Sequence, residues 1–151
     1  MEYITTHQEN IIQALAKYKF LTVRQIVKLG ISTEQYVRVN LRLLREKKII
    51  NRQTQGIQSR LGKSEDIHFL TIKGAKIASE SLDTELETIH YPKSTATLFQ
   101  HDYFHRVATI NTKISFYQWA EKQGYEVDFF HTYFDMVGSV KSKDEKLRAK
   151  T

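Results

Sequence analysis

The 151-residue chain contains no cysteine, one proline and six glycines. Without cysteine there is no disulfide framework and no Cys-ligated zinc site, which rules out zinc-finger readers of DNA. No apolar run approaches the ~20 residues that a membrane helix requires. The opening Met1-Glu2-Tyr3-Ile4 is not the basic-then-apolar start of a secretory signal. The expectation is a soluble, cytoplasmic protein with no membrane partner. Catalytic signatures are missing too: there is no Gly-rich phosphate loop, no cysteine nucleophile, and no serine in a nucleophile-elbow setting. Asp128 and Asp135 stand seven apart and need not share a face. The sequence reads as a non-enzyme without a cofactor.

What is present is an uneven charge. Net charge is +6 and 40% of the residues are hydrophobic, enough for a core. Residues 1–76 hold 14 Lys/Arg against 6 Asp/Glu, a net of +8, whereas residues 77–151 hold 9 against 11, a net of −2. A positive field confined to one half concentrates attraction for a polyanion on that module.

That half has a recognisable order. Thr6-His7-Gln8-Glu9 reads as a capping box, in which the cap hydroxyl accepts an orphan amide and the acid or amide three residues on reaches back. A helix follows to about Lys19, with Ile11, Ile12, Leu15 and Tyr18 as its buried stripe. Phe20 and Leu21 form a short extended link. Thr22-Val23-Arg24-Gln25 is a second box, opening a helix from Val23 to Leu29 with Val23, Ile26 and Val27 inward. Gly30 suits the left-handed residue that ends it. Ser32-Thr33-Glu34-Gln35 is a third box, opening a basic helix from about Thr33 to Lys48. Two helices joined by so short a turn make a helix-turn-helix. Ile49 to Gln53 and Ile67 to Leu70 then read as antiparallel strands around a basic loop, Thr54 to Asp66, and a further helix restarts at Thr71. Helix–helix–helix–strand–wing–strand–helix is the winged-helix order.

Winding the third helix at 100° per residue places Val37, Leu41 and Leu44 on one stripe. Gln35, Val39 and Arg42 project away from it, with Arg38 and Arg45 on a flank. Arg pairs with guanine O6 and N7, Gln with adenine N6 and N7, and Val meets a thymine methyl. Thr33 and Gln35 sit at the amino end, which enters a groove deepest. In the wing, Arg60 and Lys63 suit phosphate or minor-groove contacts, with Arg52 and Lys73 flanking the hairpin. The DNA-binding set is therefore Thr33, Gln35, Arg38, Val39, Arg42, Arg45, Arg52, Arg60, Lys63 and Lys73.

From Glu80 to Thr97 the chain turns acidic and carries its only proline, Pro92, which reads as a linker. Thr97-Leu98-Phe99-Gln100 caps a long amphipathic helix to about Gln123, its stripe Phe99, Tyr103, Val107, Ile110, Ile114, Tyr117 and Ala120. Gly124 ends it, Tyr125 to Phe134 reads as a strand, and the charged end from Lys141 to Thr151 has no apolar face. The expected domains are 1–79, a winged helix; 80–97, an acidic linker; and 98–151, a dimer or partner module that is also the possible start of a longer domain. The expected class is α+β, mainly helical: a winged helix-turn-helix followed by a long amphipathic helix and a strand.

His101 and His105 share a helix face. With Asp102, His131 or Asp135 they offer a two-His, one-carboxylate set, although HxxxH here lacks the glutamate of the metalloprotease motif. The preferred role for one of them is a buried, hydrogen-bonded histidine, and no metal site is assigned.

Three pieces of the chain resemble the plasmid-associated replication-relaxation family of winged-helix proteins. They are Ala16 to Ile26, with its tyrosine and Leu21-Thr22 entry; Asn40 to Ile50 together with Phe69 to Ala75; and His101 near the start of the long helix. The resemblance covers roughly residues 10 to 135. It implies double-stranded-DNA binding in plasmid or mobile-element replication, mobilisation or its transcriptional control, with a homodimer or a replication or mobilisation protein as partner. Members of the family often continue into a segment resembling restriction-endonuclease-like folds, and no such acidic motif occurs before Thr151. Two other classes stay open. One is an interaction adaptor using Tyr36 and Leu43, and the other is a metal-dependent nuclease fragment resting on His101, His105, His131 or Asp135.

Overall fold

Threonine hydroxyls set where the helices begin. The computed structural model describes residues 3–54, 56, 58–60, 62–92 and 103–132. Thr5 caps α1 (Thr6–Tyr18), Thr22 caps α2 (Val23–Lys28), Thr33 caps α3 (Glu34–Glu46) and Thr71 caps α4 (Ile72–Leu82). Each accepts from the amide three residues on, satisfying one orphan donor at a helix start. A fifth helix, α5, is described from Tyr103 to Gln123.

Two of the expected caps move by one residue. The first box is Thr5 with Gln8, not Thr6 with Glu9, because Gln8 is buried and its amide also bonds Asn40, whereas Glu9 accepts from the Ser81 hydroxyl at 2.6 Å. At α3 the cap is Thr33 rather than Ser32, and no reciprocal Gln contact is formed. The second box, Thr22 with Gln25, is where the sequence places it. Gly30 adopts φ +80 behind α2.

Strand β1 (Ile50–Gln53) pairs antiparallel with β4 (Ile67–Leu70), in the register Ile50 to Leu70 through Gln53 to Ile67. Leu21 adds a one-residue third strand, exchanging backbone bonds of 3.1 and 2.9 Å with His68. The basic loop holds a hairpin of its own, β2 (Gln58–Ser59) with β3 (Gly62–Lys63), and Arg60 is in its turn. Asp66 fastens the base of this wing, accepting from the Thr54 hydroxyl at 2.8 Å and meeting Arg52 at 3.3 Å. The architecture is the α+β winged helix.

Ile11, Ile12, Leu15, Leu21, Ile26, Val37, Leu41, Leu44, Ile49 and Leu70 form its core, each fully buried or nearly so. A buried side chain of this size contributes roughly 1.5–3 kcal/mol relative to exposure. Val27, expected inward, is only half-buried. Gly74 allows the first turn of α4 to lie against the start of β1, for a Cβ there would collide with the Ile49 carbonyl. Residues 80–92 of the expected linker hold the last turn of α4, a 3-10 turn at Leu86–Thr88 and the buried Ile89. His90 stands edge-on to Phe20, at 5.5 Å between ring centroids.

The chain divides into two compact units, residues 1–107 and 108–151. In the second, Ile110, Ile114 and Ala120 of α5 are buried, and so is Lys113. Gly124, at φ +72, ends the helix, and Tyr125 N–H closes on the Ala120 carbonyl at 2.9 Å. The strand expected from Tyr125 to Phe134 is not formed over 125–132, and residues 133 and 134 lie outside the described residues. Instead of pairing with another strand, the aromatic side chains stack around the helix. Phe130 lies 5.3 Å from Phe116 and 6.3 Å from Tyr117, while Tyr125 lies 5.6 Å from Trp119. The expected cap at Thr97, the helix start at Leu98 and the end from Lys141 to Thr151 also lie outside the described residues.

Candidate nucleic-acid interface

The third helix is held from beneath and on one side. Val37, Leu41 and Leu44 are buried as expected. On the α1 side a relay of side-chain bonds locks it in place. Thr5 N–H donates to Gln8 Oε1 at 3.2 Å, Gln8 Nε2 donates to Asn40 Oδ1 at 3.2 Å, and Asn40 Nδ2 donates to the Tyr36 carbonyl at 3.0 Å. Sequence patterning misses Asn40, a polar residue inside the buried arc. Its neighbour in space, Gln8, is 32 residues away. Of the two residues expected of an adaptor, Tyr36 meets His7 edge-on at 5.2 Å and Leu43 is half-buried.

Opposite the core, Gln35, Val39 and Arg42 are exposed, Val39 at 38%. The side chains of Gln35 and Arg42 make no hydrogen bond or ion pair among the described residues. Arg38 is exposed and meets Glu34, one turn earlier, at 3.1 Å. The Thr33 hydroxyl serves as the helix cap. Lys73 donates to the Lys47 carbonyl at the end of α3, at 2.9 Å, which favours a role in fastening α4 to α3.

Between the other flank of α3 and the wing lies a cleft of about 410 Å³, whose lining includes Arg38, Arg45, Arg52, Lys63, Asp66 and His68. Four of the ten expected DNA-binding residues therefore share one wall system. Arg60 stands apart, exposed at the hairpin turn. Burial, then the neighbouring Arg52, lower the Arg45 pKa, with Asp66 and Glu46 opposing. The side chain stays cationic, since a guanidinium does not lose its proton at physiological pH. His68 is 2% exposed, and neither ring nitrogen has a hydrogen-bond partner. Burial chiefly, and then Arg45, push its pKa down to about 4, so it is neutral at pH 7. The sequence showed only a histidine in a strand. Its backbone is bridged to the distant Leu21, which no local pattern shows.

The expected metal-ligand candidates do not come together. His105 and His131 are both exposed, and no group of three His, Asp or Glu placed to hold a metal occurs among the described residues. His101, Asp102 and Asp135 lie outside them. No helix among the described residues is long and apolar enough to cross a membrane.

Comparison with known proteins gives one match at the level of families. A family model described as replication-relaxation matches residues 12–123. No curated protein matches the chain. Among solved structures, a double mutant of ZitR from Lactococcus lactis is 18% identical, with 83% of this chain and 77% of that one covered and a TM-score of 0.46. Two mutants of MepR from S. aureus are 20% and 19% identical; each match covers 80% of this chain, and 77% and 79% of theirs, at TM-scores of 0.44.

Proposed function

Because the chain belongs to the replication-relaxation family, we propose that it binds double-stranded DNA through α3 and the wing, acting in plasmid or mobile-element replication, mobilisation or its transcriptional control. The outward face of α3 would read base edges in the major groove. Arg42 is the candidate for a bidentate contact to guanine, and Gln35 and Val39 lie beside it. Arg60 and Lys63 would hold flanking phosphates, which fix register without reading sequence. The observation that carries this reading is the unpartnered row Gln35, Val39 and Arg42 on a helix locked at its core and at its α1 side. Its basic half supplies the attraction.

The test is fluorescence anisotropy with the chain's own upstream or origin duplex against random duplex, at several salt concentrations. At least about tenfold tighter binding to the cognate duplex is expected of a sequence reader. Equal, weak and steeply salt-dependent binding to both would reduce the protein to a basic surface and favour an adaptor role.

A partner surface was expected of the long helix, and we assign it to a second copy of this chain meeting the exposed rings of Trp119, Tyr125 and Phe129. Two reading helices in a symmetric pair then call for a palindromic site. Sedimentation equilibrium decides this: a monomer at all accessible concentrations removes the assignment.

A further inference from the structure

We propose that the cleft between α3 and the wing is a binding site for a small organic anion, an oxyanion headgroup on a compact apolar body, and that its occupant competes with DNA. The competition rests on the DNA reading above; the binding does not.

Charge is the first argument. Arg38, Arg45, Arg52 and Lys63 line the cleft against Glu65 and Asp66, four positive charges to two negative, a formal net of +2. The two acids are already engaged. Asp66 holds Arg52 and Thr54, and Glu65 lies 3.8 Å from Arg24. The side chains of Arg45 and Lys63 make no hydrogen bond or ion pair among the described residues. A half-buried guanidinium left this way is a ready partner for an oxyanion.

His68 is the second, independent argument. Both its ring nitrogens are sealed from solvent and unpartnered, in a residue that lines the cleft. Native proteins rarely leave buried polar atoms unmet, and each exception calls for a partner. Held neutral, with a pKa of about 4, the imidazole presents one donor and one acceptor. The charged groups facing it are Arg45 and Arg38 from α3, Arg52 from β1, and Asp66 from the wing base. The two nitrogens point to opposite sides of the ring, so a headgroup drawn in by the guanidiniums would meet one of them, and only as the wall of the cleft gives way around it.

Size is the third. At about 410 Å³ the cleft holds far more than an inorganic anion and falls within the ~300–1,000 Å³ range of small-molecule sites. Val23 and Leu41 contribute apolar wall. An occupant that fills the cleft therefore extends beyond its headgroup, and a compact body on it would lie along Val23 and Leu41. Since it would take up Arg38, Arg45 and Lys63, the protein could not present those groups to a duplex at the same time.

The test uses the full chain with ¹⁵N-labelled histidine, titrated in three separate runs with phenyl phosphate, with inorganic phosphate and with a DNA duplex. The expected result is a saturable shift of the His68 ring nitrogens, about tenfold tighter for phenyl phosphate, and weakened about tenfold or more in a folded Arg45→Gln variant. No saturable shift overturns the site. Equal response to both probes, or indifference to Arg45→Gln, means an adventitious ion only. A response to duplex but not to phenyl phosphate hands the cleft to the DNA backbone. Anisotropy then reads the second half: if saturating phenyl phosphate leaves duplex affinity unchanged, the competition is wrong while binding stands.

Discussion

The two sides of α3 are built to opposite rules. Toward α1, Gln8 and Asn40 are buried and bonded to each other and to backbone. Toward the wing, His68 has two unpartnered nitrogens, and Arg45 has no ion pair among the described residues. Buried polar groups that satisfy one another fix a helix in place. Those left unmet destabilise the protein alone and favour whatever supplies the missing bonds. One side of the helix is scaffold, and the other is where a site is proposed.

The largest effect should come from acid, and from the wing side. The folded-state pKa of His68, about 4, lies below its ordinary value of 6.5, so protonation favours the unfolded chain. The stability this residue contributes is complete above pH 6.5 and is lost as pH falls toward 4, to a total of about 3 kcal/mol. Urea unfolding at pH 7 and pH 4.5 should show the parent losing more than a His68→Phe variant. Equal losses would mean that His68 titrates normally.

The scaffold side breaks differently. Asn40→Leu strands the Gln8 amide in the core and should cost about 2 kcal/mol. It should leave base preference unchanged, because Asn40 faces away from the outward row. A variant of normal stability would show that the relay is dispensable. A shift in preference would move Asn40 out of the scaffold.

Within the site, two substitutions separate reading from holding. Arg42→Ala should lower duplex affinity by about 1–3 kcal/mol and relax preference at one base pair. Unaltered preference removes Arg42 from the readers. Lys63→Ala should weaken all duplexes alike and flatten the salt dependence by about one ion. If the slope holds, the wing does not touch phosphate.

The elements were legible where the signal is local. Thr22 and Gln25 form their box because no rival hydroxyl stands beside Thr22. The first and third caps slip because Thr5 adjoins Thr6 and Ser32 adjoins Thr33, so two registers satisfy the pattern. At α1 the buried pairing of Gln8 with Asn40 favours one of them. The outward row of α3 follows from helix periodicity, and Gln35, Val39 and Arg42 are exposed accordingly. The cleft was not legible. It depends on Leu21 bridging the distant His68, and on Asp66 returning to Arg52. Tyr125 to Phe129 alternates as a strand would, but a strand needs a partner ladder, and the rings of Tyr125 and Phe130 stack around α5 instead.

The smallest effect is the most discriminating, because it splits stability from binding by sign. Glu34 meets Arg38 across one exposed turn of α3, a pair worth at most ~0.5 kcal/mol to folding. As the first residue of the helix, Glu34 also favours the positive end of the helix dipole. Glu34→Gln should therefore lower stability by only a few tenths of a kcal/mol. For a DNA-binding surface the same change removes an anion beside the approaching phosphates and releases Arg38, so duplex affinity should rise about twofold. The salt dependence should steepen by about one ion. If Glu34→Gln weakens duplex binding instead, the Glu34–Arg38 pair orients Arg38 for its contact rather than withholding it, and that flank of α3 belongs with the scaffold.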